Sequence, residues 1–214
     1  MRYLDRAGVP APDCLSRFDH TGDTWATVTR ADKEEIRRQL GILQNNNCAY
    51  CECDIRKESS TPHIEHFEQR SRVPGKTFRW DNLFWSCSHK ECCGKHKDRV
   101  VRTYKQPGVV LKPDHDHPRH YLYFGSNGEV GPRMGLNAGD EHRARETIRV
   151  FALDDGRLVE MRKAYCAGPR GILEEALQAG LTPEEMAEYL QENVSFYANQ
   201  PFSSAALDTL GIEP

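Results

Sequence analysis

The chain has 214 residues, 29% of them charged and 38% hydrophobic, and a formal net charge of −3. That length buries a sizeable core without disulfide staples. The mean charge excludes a globally basic nucleic-acid binder, and no apolar run approaches the roughly 20 residues that span a bilayer. The average conceals a gradient, because Gln69 to Lys105 holds ten Lys/Arg against three Asp/Glu and leaves about −10 for the remainder. A basic stretch in an acidic chain points to an anionic ligand met on one face. The opening MRYLDRAGVP lacks the apolar stretch of a secretory leader, so a cytoplasmic protein is expected. Cysteines in that compartment are metal ligands or buried thiols rather than disulfides. Six of the eight fall between Cys48 and Cys93, and such clustering favours a metal site.

Taken in chain order, residues 1–28 read as an irregular, Pro/Gly-rich stretch with Trp25 as its anchor. The segment TVTRADKEEIRRQLGILQNNN reads as a helix. Thr29 and Asp32 form a capping box, Ile36, Leu40 and Leu43 make an apolar stripe, and the triple Asn at 45–47 ends it. Residues 1–44 are thus an N-terminal segment with a helix, and 45–105 are a turn-rich cysteine/histidine region. HYLYFGSNGEVGP (120–132) reads as a hairpin turning at Asn127-Gly128. The last seventy or so residues read as helical, in GDEHRARETIRVFAL, GRLVEMRKAY and LTPEEMAEYLQENVSFY. In the last of these Thr182 caps, Pro183 takes the first turn and Glu185 closes the box. Met186, Leu190 and Val194 form its core face. The class expected is α+β, a metal-stabilised centre between an N-terminal helical element and a helical C-terminal half.

Cys48-x2-Cys51 lets one tight turn supply two of the four soft ligands that tetrahedral zinc requires at about 2.3 Å. Cys87 with Cys92 or Cys93 supplies the rest. Cys48, Cys51, Cys87 and Cys93 are the expected ligands of a structural Zn²⁺, with Cys53 outside the turn. Between the two cysteine groups PHIEHFEQRSR sets His63, Glu65 and His66 on a short strand, followed by WDNLFWSC. Phosphodiester hydrolysis needs a group that takes a proton from water, which a neutral histidine provides, and neutralisation of phosphate charge, which a hard cation on carboxylate oxygens provides.

The order Cys-x2-Cys, Glu65-His66, Asn82-Leu83, second cysteine group and basic CGKHK stretch resembles the HNH endonucleases, whose core is a ββα-metal finger. The resemblance implies His66 as general base, Glu65 as ligand of a catalytic Mg²⁺ or Mn²⁺, and Asn82 as the residue orienting loop or base. The family usually has His or Asn after the last knuckle cysteine, where this chain has Gly94. His96, two residues on, is carried as the second ligand of the divalent ion, and His63, on the strand face of Glu65, is the other candidate. Arg70, Arg72, Lys76 and Arg79 in the connecting loop, with Lys97 in the basic helix, are expected phosphate contacts. DHDHPRH (114–120) reads as a solvated loop.

The hairpin with GEV, ARETIRVFALDDGRLVEMR and the late PFSSAALDTLG extend the likeness to the HNH subunits of Septu-type antiphage systems, similar subunits of which accompany some retrons. That resemblance implies an SMC-like ATPase subunit as partner, met by residues 106–214, and a nuclease restrained until infection, with DNA the favoured substrate and RNA the alternative. Two other readings stand beside it. A zinc-stabilised binding or adaptor module without catalysis is favoured by Gly94. A stand-alone restriction-type endonuclease would require its own DNA-recognition element, and the sequence contains no helix-turn-helix or basic arm.

Overall fold

A computed structural model of the chain describes residues 1–58, 62–100 and 108–214. The expected end of the finger region at residue 105 lies outside the described residues. Helix α1 spans Arg30–Gln44 with Thr29 and Asp32 in a reciprocal capping box, and Asn45 closes it in the left-handed conformation. Its apolar stripe, Ile36, Leu40 and Leu43, is buried, each side chain contributing about 1.5–3 kcal/mol. A short helix α2 covers Ile55–Glu58. Strands β1 (His63–His66) and β2 (Leu83–Ser86) pair antiparallel, Glu65 opposite Phe84 and His66 opposite Leu83, and helix α3 follows at Cys93–Val100.

The outer backbone edge of β2 is satisfied partly by a side chain. Gln44 at the end of α1 donates from Nε2 to the carbonyls of Asn47 and Trp85, both at 2.8 Å, and its Oε1 accepts from Trp85 N at 2.7 Å. A buried amide so placed does the work of a neighbouring strand.

Strands β3 (Leu122–Phe124) and β4 (Val130–Pro132) form the second antiparallel pair. Its turn differs from expectation by one residue. Gly128 N donates to Gly125 O at 2.9 Å, so Ser126 and Asn127 occupy the turn centre and Gly128 follows with φ +89°. That arrangement is the three-residue hairpin loop with a left-handed glycine rather than a two-residue turn. A Cβ on Gly128 would meet the Val159 carbonyl at 2.0 Å, which excludes any other residue.

Helices α4 (Ala138–Phe151), α5 (Gly156–Tyr165), α6 (Ala167–Gln178), α7 (Pro183–Tyr197) and α8 (Ser203–Thr209) complete the chain. The capping box of Thr182 and Glu185 and the first-turn Pro183 are present as expected. The core assigned to Met186, Leu190 and Val194 is only partly formed: all three are half-buried, Leu190 packs on a small cluster of Tyr197, Ala206 and Leu210, and Tyr197 is the buried residue of α7. Periodicity marks an apolar face without saying what covers it. Leu177 and Phe196 on the same pair of helices are 70% and 61% exposed. One continuous core runs from Met1 through α1, the β1–β2 pair and α4 to α8. No helix among the described residues is long and apolar enough to cross a membrane.

Three separated pieces of chain meet at a sulfur cluster. Cys48, Cys51, Cys87 and Cys93 are buried, with ligand atoms all within 4.8 Å of one another. Cys93 rather than Cys92 completes the quartet, and it does so from a left-handed backbone, φ +57°, at the first residue of α3. Burial opposes ionisation of Cys48, yet the thiols of Cys51, Cys53, Cys87 and Cys93 directed at its sulfur hold it well below the ordinary thiol range, and Cys87 N donates to it at 3.4 Å. Four soft donors, the sulfur of Cys48 held toward ionisation among them, fit a tetrahedral Zn²⁺, which would hold the knuckle, the end of β2 and the start of α3 together.

The knuckle is tied to the far end of the chain. Glu52, at φ +66° directly after Cys51, accepts from Ser203 Oγ at 2.9 Å and Ser204 N at 3.0 Å and pairs with the Met1 ammonium. Although burial opposes its ionisation, these partners lower the Glu52 carboxyl to about 2. The late PFSSAALDTLG segment is therefore the piece that closes α8 onto the knuckle. Its Asp208 accepts from Arg119 and Arg133, each at 2.8 Å, and from Phe124 N at 2.9 Å, locking the hairpin as well.

Two outcomes are expected. Cys48→Ser should lose bound zinc and unfold the β1–β2–α3 unit, because structural zinc contributes about 10 kcal/mol or more of folding free energy. Metal analysis with circular dichroism reads this, and a soluble, zinc-replete variant would overturn the four-sulfur centre. Glu52→Ala should lower stability in denaturant titration by about 3–5 kcal/mol, the usual consequence of stripping one partner from a buried pair, with zinc stoichiometry unchanged.

Candidate active site

Successive strand residues face opposite sides, so Glu65 and His66 share a site only if the strand stops there. It does, because His66 is the last residue of β1. Both line one cleft of about 410 Å³ together with His63, Gln69, Arg70 and Lys95.

His66 is buried, with Nε2 3.0 Å from the Thr77 carbonyl. A carbonyl only accepts, so Nε2 carries the proton and Nδ1 is the acceptor. Burial, and then the nearby Arg70 guanidinium, push its pKa down to about 4. The ring is consequently neutral at physiological pH, with a lone pair available at some loss of intrinsic basicity. Trp25 stands edge-on to it, ring centroids 4.5 Å apart, and packs on Phe78. The irregular N-terminal segment thus supplies one wall around the histidine.

The Thr77 carbonyl is held by the loop that Asn82 organises. Asn82 is buried just before β2; its Oδ1 accepts from Glu68 N at 2.8 Å, and its Nδ2 donates to the carbonyls of Glu68 and Lys76, both at 3.0 Å. Both amide protons and the amide oxygen are turned to backbone of residues 68–76.

Glu65 is 2% exposed and lies beside the fully buried Lys97. The two form an ion pair through Glu65 Oε1, and Lys97 Nζ also donates to the carbonyls of His66 at 2.6 Å and Phe67 at 3.1 Å. Burial works against ionisation of Glu65, but Lys97 and His63 hold its carboxyl below the usual range. The expectation that Lys97 meets phosphate is corrected: its ammonium is spent inside the protein, because Lys97 shares with Gly94 the face of α3 that packs on β1.

The position of His96 is also corrected. A helix rotates about 100° per residue, so His96 looks away from Glu65 and its Nδ1 lies 3.0 Å from the carbonyl of Val150 in α4. His63, the other candidate, sits with Nε2 3.7 Å from Glu65 Oε2. In the connecting loop Arg70 lines the cleft, its guanidinium 5.9 Å from the Trp25 ring centre. Arg72 is exposed, Lys76 pairs with Glu68, and Arg79 pairs with Asp81 through two contacts of 3.0 Å. Lys95 and Gln69 line the cleft without having been marked in the sequence. For Lys95 the signal was available, since it adjoins Gly94 on the helix that faces Glu65.

The arrangement is a neutral imidazole and an ionised carboxylate in one cleft with an arginine and a lysine at its margin, suited to accepting a proton next to a bound anion or cation. No protein-family model matches the chain. A Septu protein PtuB of Bacillus thuringiensis is 33% identical over 90 residues, 42% of this chain and 33% of that protein. A Septu protein PtuB of Bacillus mycoides (strain KBAB4) is 26% identical over 184 residues, 74% of this chain and 60% of that protein. A protein of retron Vc95 from Vibrio cholerae, provisionally named an HNH endonuclease, is 26% identical over 137 residues, 61% of this chain and 63% of that protein. The chain spans less than two thirds of the length of each of these relatives. By sequence it is a relative of the Septu PtuB proteins and of a retron protein named for the HNH nucleases, the resemblance its motifs carry.

Proposed function

We propose that the chain is a metal-dependent HNH endonuclease that hydrolyses phosphodiester bonds, with DNA the favoured substrate and RNA the alternative. In this reading it is the effector subunit of an antiphage complex and is held in check by an SMC-like ATPase of the PtuA type. The observation that carries it is His66, a neutral imidazole oriented by Thr77 O at the end of β1, beside an ionised Glu65 in a cleft bordered by Arg70 and Lys95.

In this reading β1, β2 and α3 are the ββα-metal finger. His66 Nδ1 takes the proton of the attacking water, while the Nε2–H bond to Thr77 fixes the tautomer and ring plane. Asn82 is a positioning residue that holds the loop bearing Thr77. Arg70 and Lys95 at the cleft, with Arg72, Lys76 and Arg79 along the loop, meet phosphate oxygens. A divalent ion such as Mg²⁺ or Mn²⁺, with Glu65 as ligand, neutralises charge on the phosphate and leaving oxygens when bound. Residues 106–214 are the partner-contacting part, and the names of the relatives support a place in Septu-like or retron-associated defence. Gly94, the feature that favours a non-catalytic module, has a use of its own here, since it leaves room for Glu65 and His63.

The test compares wild type with His66→Ala, each with and without the ATPase, on plasmid DNA, single-stranded DNA and RNA in Mg²⁺ or Mn²⁺. Metal-dependent cleavage should fall by about 10²–10⁴-fold in the variant, with zinc content and fold retained. Equal cleavage by the variant would remove His66 as the base, and no cleavage from any combination would favour the adaptor reading.

A further inference from the structure

The helix position that follows the last knuckle cysteine delivers no ligand, and the space a side chain would fill there is already occupied. A Cβ on Gly94 would lie 2.7 Å from Glu65 Oε2 and 3.1 Å from His63 Nε2. Both groups come from β1, where residues two apart share a face. His63 Nε2 and Glu65 Oε2 are 3.7 Å apart. Lys97 engages Oε1 of the same carboxylate, which leaves Oε2 as the oxygen turned to His63. Both ring nitrogens of His63 are buried without a hydrogen-bond partner, which is unfavourable for a polar group removed from water. A cation bound at Nε2, the nitrogen nearest Glu65, would give that nitrogen a partner.

We propose that His63 is the second protein ligand of the divalent ion at Glu65, taking from the strand the role that α3 gives up at Gly94. This rests on the nuclease-site reading above. The 3.7 Å separation is longer than the roughly 3.0 Å between adjacent donors around an octahedral ion bound at about 2.1 Å, so the two side chains would close slightly on a bound ion. The pair is also mixed in kind. An imidazole beside a carboxylate suits a first-row dication such as Mn²⁺ better than Mg²⁺, which prefers oxygen donors alone. His96 is excluded by its orientation toward Val150.

The test uses the full chain with its zinc retained, titrated with Mn²⁺ in the absence of nucleic acid and followed by electron paramagnetic resonance. Wild type should bind Mn²⁺ and show a nitrogen-14 coupling from a ligating imidazole in pulsed spectra. His63→Ala should weaken binding at least about 10-fold, the lower bound for losing even an outer partner of a metal ligand, and should abolish the coupling. His66→Ala and His96→Ala should keep it. His63→Gln, which preserves bulk at the site, should also lack the coupling, and unchanged zinc content reports that the fold survives in every variant. A coupling that persists in His63→Ala, or is lost in His96→Ala, would overturn the assignment, as would a wild type that binds no Mn²⁺. Binding is read without substrate, so the two readings fail separately. A His63-dependent coupling without any cleavage would sink the nuclease and leave the ligand standing, and Mn²⁺-dependent cleavage with a coupling indifferent to His63 would do the reverse.

Discussion

Four sulfurs drawn from the knuckle turn, the end of β2 and the first residue of α3 determine where that helix begins, and the cleft is built outward from that point. With Cys93 held in the cluster, the next residue must pass Glu65 with no side chain, and the residue one turn on must point into the interior beside it. Gly94 and Lys97 meet those two demands. The left-handed backbone at Cys93, a conformation that a residue with a Cβ adopts only against a penalty, shows how strongly the cluster over-determines the start of the helix.

The second constraint is the buried pair of Glu65 and Lys97. Placing two charges out of water is expensive, and their attraction compensates only when the remaining donors are satisfied. The Lys97 ammonium pairs with Glu65, lies 3.4 Å from Asp98 and donates to the carbonyls of His66 and Phe67. Glu65, His66 and Phe67 are the last residues of β1 and the residue after it. The pair therefore fixes the backbone at the point where the strand stops, and so the ring of His66. Ionisation of Glu65 is a by-product of the same contact, leaving the site with a carboxylate anchored through one oxygen.

Features governed by neighbours in sequence were legible before the fold. The capping boxes at Thr29 and Thr182, the end of α1 at the asparagines and the Cys48-x2-Cys51 turn depend on a few adjacent residues. Features governed by a single dihedral or by what lies opposite were not. Cys92 and Cys93 are equivalent on spacing, and φ at one residue separates them. Lys97 belongs to a residue type that is almost always solvated, and only the carboxylate across from it explains its burial. His96 and His63 are both candidates from sequence to join Glu65, yet one turns toward α4 and the other toward the cleft. The half-exposed stripe of α7 makes the same point for packing.

The site is also not the property of β1, β2 and α3 alone. Tyr50, inside the knuckle turn, is covered by Phe151 of α4 with ring centroids 4.0 Å apart, and Phe67 reaches the same ring. Arg162 of α5 is buried, donates to Gly128 O and Leu153 O at 2.7 Å each, and is attracted by Cys51, Glu52 and Cys93. Four thiolates around a dication would leave a net negative charge in a low-dielectric interior, and a fixed guanidinium nearby would offset part of it. From the other end of the chain, Arg6 stacks on Trp80 and Phe84, 4.8 Å from each ring centre, and Trp25 closes on His66. A unit as small as β1, β2 and α3 buries little apolar surface of its own. The segments on either side supply the apolar cover, a buried guanidinium beside the cysteines and the ring that packs on His66. A change in how those segments pack thus acts directly on the orientation of His66 and on the electrostatics of the cysteine centre.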